Sequence, residues 1–399
     1  MKFFRFLLSF IILAALLTRV ELRADYDREE VSEAINRLAF DLLPLVNDQN
    51  TFFSPYSISS ALALAFAGAR GQTEEEMMKV LYFSDSQSLF HPAFHKVNQE
   101  LEKRKNEGII LNIANALWID RNAELADDFL VLTNLYYGAG DNRLNFLEEP
   151  EQSRIKINGW IEEKTEDRIK DILQPGDVTS DTRLILTNAI YFLGSWQHVF
   201  SEDLTREEEF FVSPENPQKA HFMKRTGSYL YYSDNELKAV QIPYKERELA
   251  MTVFLPAEDT ELSTLIEKLD YERYHTITNS LSYQRVNLQI PKFTFEARYL
   301  LKEVFRKLGM TVPFSAKADF TGMTGEKERF LIDEIIHQSF IEVEEKGTEA
   351  AAATAVIMRT TSMLDPQEEI LFKADRPFLF FIRDTLSGTV LFTGTLHTP

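Results

Sequence analysis

Residues 342–366 read EVEEKGTEAAAATAVIMRTTSMLDP, and this stretch departs from the rest of the chain. Its four consecutive alanines, Ala350 to Ala353, favour a helix when they are considered alone. The residues that follow are rich in β-branched side chains, and Arg359 to Ser362 are poor helix formers just before the turn signal Asp365-Pro366. On composition alone the stretch is therefore either a helix or an exposed loop, and both interpretations stay open.

The hydrophobic pattern on either side of this stretch predicts a mixed α+β protein with large sheets. Apolar residues at spacings of three and four predict helices over 28–45 and 153–173, and a nearly continuous apolar run from Pro55 to Ala67 predicts a buried helix. Long runs that are apolar on both faces predict central strands. The runs of this kind are 109–119 and 184–192. Residues 239–243 and 250–256 are predicted to form a hairpin, and 286–295 and 371–392 are further β-rich stretches.

The composition excludes several classes of protein. The chain has 399 residues, with 43 Lys plus Arg against 62 Asp plus Glu and a net charge of −19. This charge gives no support to a nucleic-acid partner, because phosphate-backbone binding requires basic surface. The chain has no cysteine, which excludes disulfides, Cys-ligated zinc, iron–sulfur clusters and thiol nucleophiles.

The amino-terminal residues predict a secretory signal peptide. Lys2 and Arg5 precede the apolar run Phe6–Leu17, which is short for a membrane span, and Ala24 offers a small residue for cleavage. Removing residues 1–24 takes away four basic residues and one acidic residue, so the mature chain would carry a net charge of −22. We expect a secreted, extracellular protein without a membrane partner.

The sequence offers no catalytic constellation. G-x-S-x-G, P-loop, G-x-G-x-x-G and H-E-x-x-H motifs are all absent. His91 and His95 are four residues apart and could face one way on a helix, but no acidic ligands accompany them at helical spacing. We therefore predict that the chain is not an enzyme and holds no metal or cofactor.

Several motifs carry a resemblance to a known family. Glu345-Lys346-Gly347-Thr348-Glu349 followed by Ala350 to Ala353 resembles the reactive-loop hinge of the serpins, the serine protease inhibitor family. Other serpin-like blocks follow in the same order as in that family, and together they extend from about residue 27 to the end. These blocks are NTFFSPYSI at 50–58, TNAIYF at 187–192 with Trp196, PKF at 291–293 and DRPFLF at 375–380.

The resemblance implies a single serpin domain over residues 25–399. Its fold would have three β-sheets, eight or nine helices and an exposed reactive-centre loop at about 345–366. A serpin inhibitor is a suicide substrate: a serine protease attacks the loop, and the cleaved loop inserts into the central sheet while the protease is held as an acyl-enzyme. The implied partner is a serine protease, in a covalent 1:1 complex with a monomer.

A non-inhibitory serpin, such as a carrier, storage protein or chaperone, is the alternative. Such a protein would keep the fold and lose loop insertion, and bulky, charged or proline residues in the hinge would signal that loss. Residues 350–355 contain none of these, which favours inhibition.

The resemblance also assigns site residues, each of which could equally be an ordinary core residue. The hinge would comprise Glu345, Gly347, Thr348, Ala350, Ala351, Ala352 and Ala353. Ser54, Ser57, Asn188 and His337 resemble the serpin shutter, a polar cluster beneath the strands that open. Trp196 resembles the breach tryptophan, where insertion starts.

The position of the scissile bond stays open between two bonds. Counting from Gly347 with the common serpin loop spacing places the specificity residue at Thr361, followed by Ser362, and a small residue there favours an elastase-like protease. Arg359, followed by Thr360, lies two residues earlier and offers the charge that a trypsin-like pocket binds.

A glycosaminoglycan partner has weak support. Lys96, Lys103, Arg104 and Lys105 lie near the region where heparin-binding serpins carry basic residues. They are interleaved with glutamates in an acidic protein, so a solvated helix face explains them better.

Overall fold

The computed structural model describes residues 28–46, 49–83, 86–106, 108–139, 142–325, 330–348 and 369–399. Within these ranges the chain forms ten α-helices and 15 strands, so the predicted mixed α+β class is confirmed. None of the helices described there is long and apolar enough to cross a membrane. The helices are α1 (28–42), α2 (Pro55–Phe66), α3 (Gly71–Leu81), α4 (Gln87–Glu102), α5 (Asp127–Tyr137), α6 (Pro150–Lys164), α7 (Leu262–Lys268), α8 (Tyr271–Asn279), α9 (Lys302–Lys307) and α10 (Thr321–Thr324). The strands are β1 (Thr51–Phe53), β2 (Ile109–Asp120), β3 (Arg143–Leu144), β4 (Leu184–Ser195), β5 (Arg206–Ser213), β6 (Asn216–Ser233), β7 (Leu237–Pro243), β8 (Leu249–Pro256), β9 (Ser282–Pro291), β10 (Phe293–Leu300), β11 (Glu334–Glu344), β12 (Gly347–Thr348), β13 (Ile370–Lys373), β14 (Phe378–Asp384) and β15 (Val390–Leu396).

A six-stranded sheet carries the region that the sequence singled out. Its strand order is β10-β11-β12-β4-β2-β3, and β11 also pairs directly with β4. β2 and β4 are antiparallel over eleven residue pairs, from Ile109–Gly194 to Ile119–Leu184. Both strands were predicted from their apolar runs, and both are covered on two sides, as such runs require.

The remaining strands form a nine-stranded sheet, in the order β1-β15-β14-β8-β7-β6-β9-β13 with β5 paired to β6. β6 is 18 residues long, and it pairs with β9 along most of its length and with β7 at its end. This one strand joins two groups of strands by hydrogen bonds. The resemblance implies three sheets. In the described residues there are two continuous hydrogen-bonded sheets, because β6 joins two groups of strands into one.

α2 lies between the two sheets. It packs against β15 of the nine-stranded sheet and against β2 and β4 of the six-stranded sheet, and all twelve of its residues are buried. Ser54 caps its first turn by accepting a hydrogen bond from the Ser57 backbone N–H, and Pro55 occupies the first helical position, where its missing N–H costs nothing. The helix predicted here is confirmed.

α6 covers the opposite face of the six-stranded sheet. Its Ile157 and Ile161 belong to one apolar cluster with Ile185 of β4 and Ile336 of β11. A strand that entered between β4 and β11 would therefore pass directly beneath α6.

The prediction that this helix continues to Leu173 is wrong. Helix α6 ends at Lys164, because Glu166 and Asp167 adopt left-handed backbone conformations with φ of 54° and 61°. The chain after them still packs Ile169 and Leu173 into the cluster beneath α6. The apolar spacing therefore continued through residues that are buried without being helical.

Candidate functional site

β4 and β11 are adjacent along most of their length and separate near one end. Residues 185–191 of β4 pair in parallel with residues 334–340 of β11. Beyond this point β12 lies between the two strands and is antiparallel to both. The boundary between β4 and β11, called the β4–β11 seam below, thus already contains Gly347 and Thr348 of the predicted hinge at its open end.

Gly347 packs against the backbone of β4. A Cβ atom at this position would lie 2.7 Å from the Cα of Ser195 and still closer to the carbonyl oxygen of Gly194. No side chain fits such a close approach of two backbones, and glycine is the residue that permits it. This contact gives a physical reason for glycine at the predicted hinge.

Thr348 is fully buried at the open end of the seam. Its hydroxyl oxygen lies 2.8 Å from the hydroxyl oxygen of Tyr244. The Tyr244 ring stacks on Trp196, with centroids 4.6 Å apart and planes inclined by 8°. The Trp196 indole donates a hydrogen bond to the carbonyl of Glu344, and its backbone N–H donates to the carbonyl of Lys346. The predicted breach residue therefore holds the turn that precedes the loop.

Glu345 anchors the same turn from the other side. Its carboxylate accepts hydrogen bonds from Lys292 Nζ and from Thr205 Oγ1, each at 2.7 Å. Burial alone would raise the pKa of Glu345, but the bonds from Lys292 and Thr205 outweigh it and leave the pKa below its ordinary value. The carboxylate is therefore ionised at neutral pH. It borders a polar cavity of about 450 Å³, whose lining also includes Glu202, His221, Glu344 and Lys346.

The four predicted shutter residues lie in one hydrogen-bonded cluster. The Ser54 backbone N–H donates to His337 Nε2 at 3.1 Å, and His337 Nδ1 donates to Asn188 Oδ1. Asn188 Nδ2 donates to Ser57 Oγ at 2.6 Å and to Asn115 Oδ1. Burial lowers the pKa of His337 to about 3, so its ring is neutral at pH 7 and can accept at one nitrogen while donating at the other.

This cluster crosses the β4–β11 seam. Asn188 and His337 are direct partners in the parallel pairing of β4 with β11, and α2 supplies Ser57 from below. A strand that entered the seam would have to separate Asn188 from His337. The cluster is thus a set of hydrogen bonds that holds β4 and β11 together at the place where the sheet would open.

Two residues of the site were missed by the sequence reasoning. Asn115 lies opposite Asn188 in the pairing of β2 with β4 and joins the cluster through its side chain. As a polar residue inside the apolar run 109–119, it carried a signal that could have identified it. Tyr244 carried no comparable signal, because its partner Thr348 lies 104 residues further along the chain.

Residues 33–399 match a family model described as Serpin (serine protease inhibitor). The chain belongs to the serpins. Human leukocyte elastase inhibitor is 38% identical over 384 residues, which cover 93% of this chain and all of that protein. An uncharacterized serpin-like protein of Thermococcus kodakarensis is 35% identical over 384 residues, covering 96% of this chain and 89% of that one. The crystal structure of Serpin48 from the insect Tenebrio molitor is 29% identical, with a TM-score of 0.83 and coverage of 94% and 99% of the two chains.

The predicted serpin fold is therefore confirmed. The other predicted loop residues lie outside the residues that the structure describes. They are the hinge alanines Ala350, Ala351, Ala352 and Ala353 and the alternative scissile bonds Thr361–Ser362 and Arg359–Thr360.

The basic residues considered for glycosaminoglycan binding are partly engaged within this serpin. Arg104 bonds to Asp384 and Glu248, at 3.0 and 3.3 Å, and Lys105 bonds to Glu102 at 2.7 Å. An anion would have to compete with these carboxylates, so the structure adds no support for a sulfated partner.

Proposed function

We propose that this serpin is a secreted suicide-substrate inhibitor of serine endopeptidases, which acts as a monomer and forms a covalent 1:1 complex. The observation that carries the proposal is the position of β12. Gly347 and Thr348 lie between β4 and β11 in the antiparallel direction that an inserted strand must take. The inserted strand would thus extend a pairing that already exists at the open end of the seam. Secretion is proposed from the apolar run Phe6–Leu17 that follows Lys2 and Arg5.

The register of β12 supports insertion of the residues that follow it. Gly347 pairs with Ser195 and Thr348 with Gly194, so continuing this register would bring Thr354 level with both Asn188 and His337. Thr354 is the one polar residue between Ala350 and Met358, and its hydroxyl would arrive where the Asn188–His337 hydrogen bond is lost. The cost of opening the shutter would then be offset by a new polar partner.

The side chains on the other face of the inserted strand would fit beneath α6. Successive side chains of a strand point to opposite faces, so positions 351, 353 and 355 would face α6 while Thr354 faces α2. All three are alanines. Ala189, which would be level with position 353, already lies in the apolar cluster beneath α6. Small side chains at these positions would let the strand enter with little displacement of the helix.

Insertion would supply enough free energy to distort a protease. Continuing the register to Leu184, the first residue of β4, corresponds to Met358 and gives a strand of about eleven residues. At about 0.5–1.5 kcal/mol for each net backbone hydrogen bond, insertion yields on the order of 10 kcal/mol. A typical protease domain is stable by about 5–15 kcal/mol, which is a comparable amount.

The same register supports Thr361–Ser362 as the inhibitory bond. With Met358 at the end of the sheet, cleavage after Thr361 leaves three residues, or about 10 Å of extended chain, between the sheet and the acyl-enzyme bond. Cleavage after Arg359 leaves one residue, about 3.3 Å, which is too short to reach an active-site cleft without unpairing part of the strand. An elastase-like target agrees with the small Thr361 and with the name of the leukocyte elastase inhibitor.

The test is to incubate the mature protein separately with pancreatic elastase and trypsin and to run denaturing gels. The released carboxyl-terminal peptide is identified by mass spectrometry. We expect an adduct with elastase at the summed mass less that of the released peptide, and a released peptide that begins at Ser362. A chain that both enzymes cleave without forming an adduct, and whose thermal midpoint does not rise after cleavage, would contradict inhibition and favour a non-inhibitory serpin.

A further inference from the structure

Tyr244 is held in one orientation at the open end of the seam. It is fully buried, forms an isolated β-bridge with Trp196, and its backbone N–H donates to the carbonyl of Leu249 at 3.0 Å. Its ring stacks on Trp196 and meets Phe192 edge to face, with centroids 5.1 Å apart. The two ring contacts and the two backbone contacts together aim the hydroxyl at one point in the seam.

That point is occupied by Thr348. The two hydroxyl oxygens are 2.8 Å apart, and both side chains are fully buried. Burial raises the pKa of Tyr244 well above its ordinary value, so the phenol keeps its proton and can hydrogen-bond throughout the neutral range. If either residue lost this bond, the other would be left with a buried, unpaired hydroxyl, which is costly. The pair therefore favours the arrangement in which Thr348 lies in the seam.

We propose that Tyr244 is a positioning residue that starts loop insertion by holding Thr348 between β4 and β11 before a protease arrives. The inference rests on the proposed function and names the residue that gives the new strand its first position. Ordering the first residues of a segment requires closing a loop before any contact compensates for it, whereas extending an existing pairing does not. With Thr348 already in place, insertion competes better with hydrolysis of the acyl-enzyme.

The test uses Tyr244→Phe, which keeps the ring on Trp196 and removes only the hydroxyl. We expect hydrogen exchange at the amides of residues 345–348 to become about tenfold faster in the uncleaved protein, the effect of one lost buried hydrogen bond. In inhibition assays, more serpin should be consumed per protease trapped. The second-order rate of loop cleavage should not fall, because the scissile bond is unchanged and the position of Thr348 affects only the insertion step that follows acylation.

A double variant separates positioning from a general loss of stability. Tyr244→Phe with Thr348→Val removes both hydroxyls and leaves neither one unpaired, so its effect on both readouts should be no larger than that of either single variant and smaller than their sum. Thr348→Val alone should behave like Tyr244→Phe. The control is Tyr137→Phe, which removes a tyrosine hydrogen bond to His91 Nδ1 of similar length, 2.6 Å, between α5 and α4. It should change neither readout.

Equal exchange at residues 345–348 in wild type and Tyr244→Phe would overturn the inference, and so would a double variant whose effect is the sum of the two single effects. If the wild-type protein forms no adduct with either protease, the proposed function fails. The exchange experiment needs no protease, and it then decides by itself whether Tyr244 holds Thr348 in the seam.

Discussion

The Lys292 ammonium lies 2.7 Å from the carboxylate of Glu345, whose side chain is only 8% exposed. Lys292 lies between β9 of one sheet and β10 of the other, and Glu345 is the residue that follows β11. The ion pair therefore connects the turn that follows β11 to the point where the chain passes between the sheets. Without this ion pair, the turn that closes the open end of the β4–β11 seam would lose an anchor.

Glu345→Lys should destabilise the native monomer and promote polymerisation. The change removes the carboxylate and sets two ammonium groups against each other beside a buried turn. We expect a loss of about 1–3 kcal/mol, below the value for a fully buried pair because Lys292 is 37% exposed. Thermal melts and gel filtration would measure the midpoint and the polymer fraction.

Two further variants provide the comparison for Glu345→Lys. The double variant Glu345→Lys/Lys292→Glu should recover part of the loss, because opposite charges face each other again. Glu151→Lys reverses an exposed carboxylate that pairs with Arg154, and it should leave the midpoint nearly unchanged. A normal midpoint and no polymer for Glu345→Lys would show that the ion pair does not hold the turn.

Acid should weaken the native state through His337. Burial holds the pKa of His337 at about 3, whereas the unfolded imidazole has a pKa of about 6.5. Between these values the unfolded state binds the extra proton, so the contribution is complete above pH 6.5 and declines as the pH falls, by up to about 1.4 kcal/mol per pH unit. His91, whose pKa burial lowers to about 4, acts in the same direction.

Thermal midpoints of wild type and His337→Gln between pH 4.5 and 7.5 check this prediction. The glutamine variant should be less stable at neutral pH and should show a shallower decline in acid. Exposed His275→Gln serves as the control and should keep the wild-type slope. Parallel pH profiles for wild type and His337→Gln would assign the acid sensitivity to other groups.

Asn188→Ala should lower the stability of the native monomer by about 2–4 kcal/mol. The change removes the acceptor for His337 and the donor to both Ser57 and Asn115, in a cluster where Asn188, Ser57 and His337 are fully buried. Because the cluster fastens the seam, we also expect polymers on mild heating. Asn279→Ala, at an exposed helix end, is the matched control. A wild-type melt without polymers for Asn188→Ala would contradict a fastening role.

Hydrophobic spacing was sufficient to predict the long elements but not where α6 ends. The strands predicted over 109–119 and 184–192 are β2 and β4, since runs that are apolar on both faces occur in central strands. The helix predicted to Leu173 ends at Lys164. The spacing of apolar residues predicts which side chains are buried but not whether the backbone is helical. Ile169 is buried although it lies in a segment that is not helical.

The site was only partly predictable for a different reason. The shutter residues were predicted only through family resemblance, because no local pattern relates Ser54 to His337, which lies 283 positions further along. Tyr244 was missed since its role depends on the register of β12 between two other strands. Contacts between residues so far apart in the chain depend on how the strands assemble, and they cannot be predicted from local patterns in a single sequence.

Thr348→Arg should convert the inhibitor into a substrate. Thr348 is fully buried beside Tyr244 in the seam, and an arginine at this position would bury a charge without a carboxylate partner both before and after insertion. Cleavage by elastase should continue at a similar rate because the scissile bond is unchanged, while the adduct on denaturing gels should fall at least tenfold. Wild-type adduct yield from Thr348→Arg would show that trapping does not require residue 348 to lie in the seam.

Moving the arginine by two positions should change which protease is trapped. In the wild-type protein we expect trypsin to cleave after Arg359 and mostly to be released, because one residue of tether cannot reach its active site once the strand is fully paired. Arg359→Ala with Thr361→Arg places the arginine at the bond that leaves a tether of about 10 Å. Trypsin should then form a stable adduct and release a peptide that begins at Ser362.

Arg359→Ala alone should lose trypsin cleavage in the loop and keep the elastase adduct. A strong trypsin adduct from the wild-type chain, with a peptide that begins at Thr360, would mean that the strand stops short of Leu184 and that Arg359 is the specificity residue.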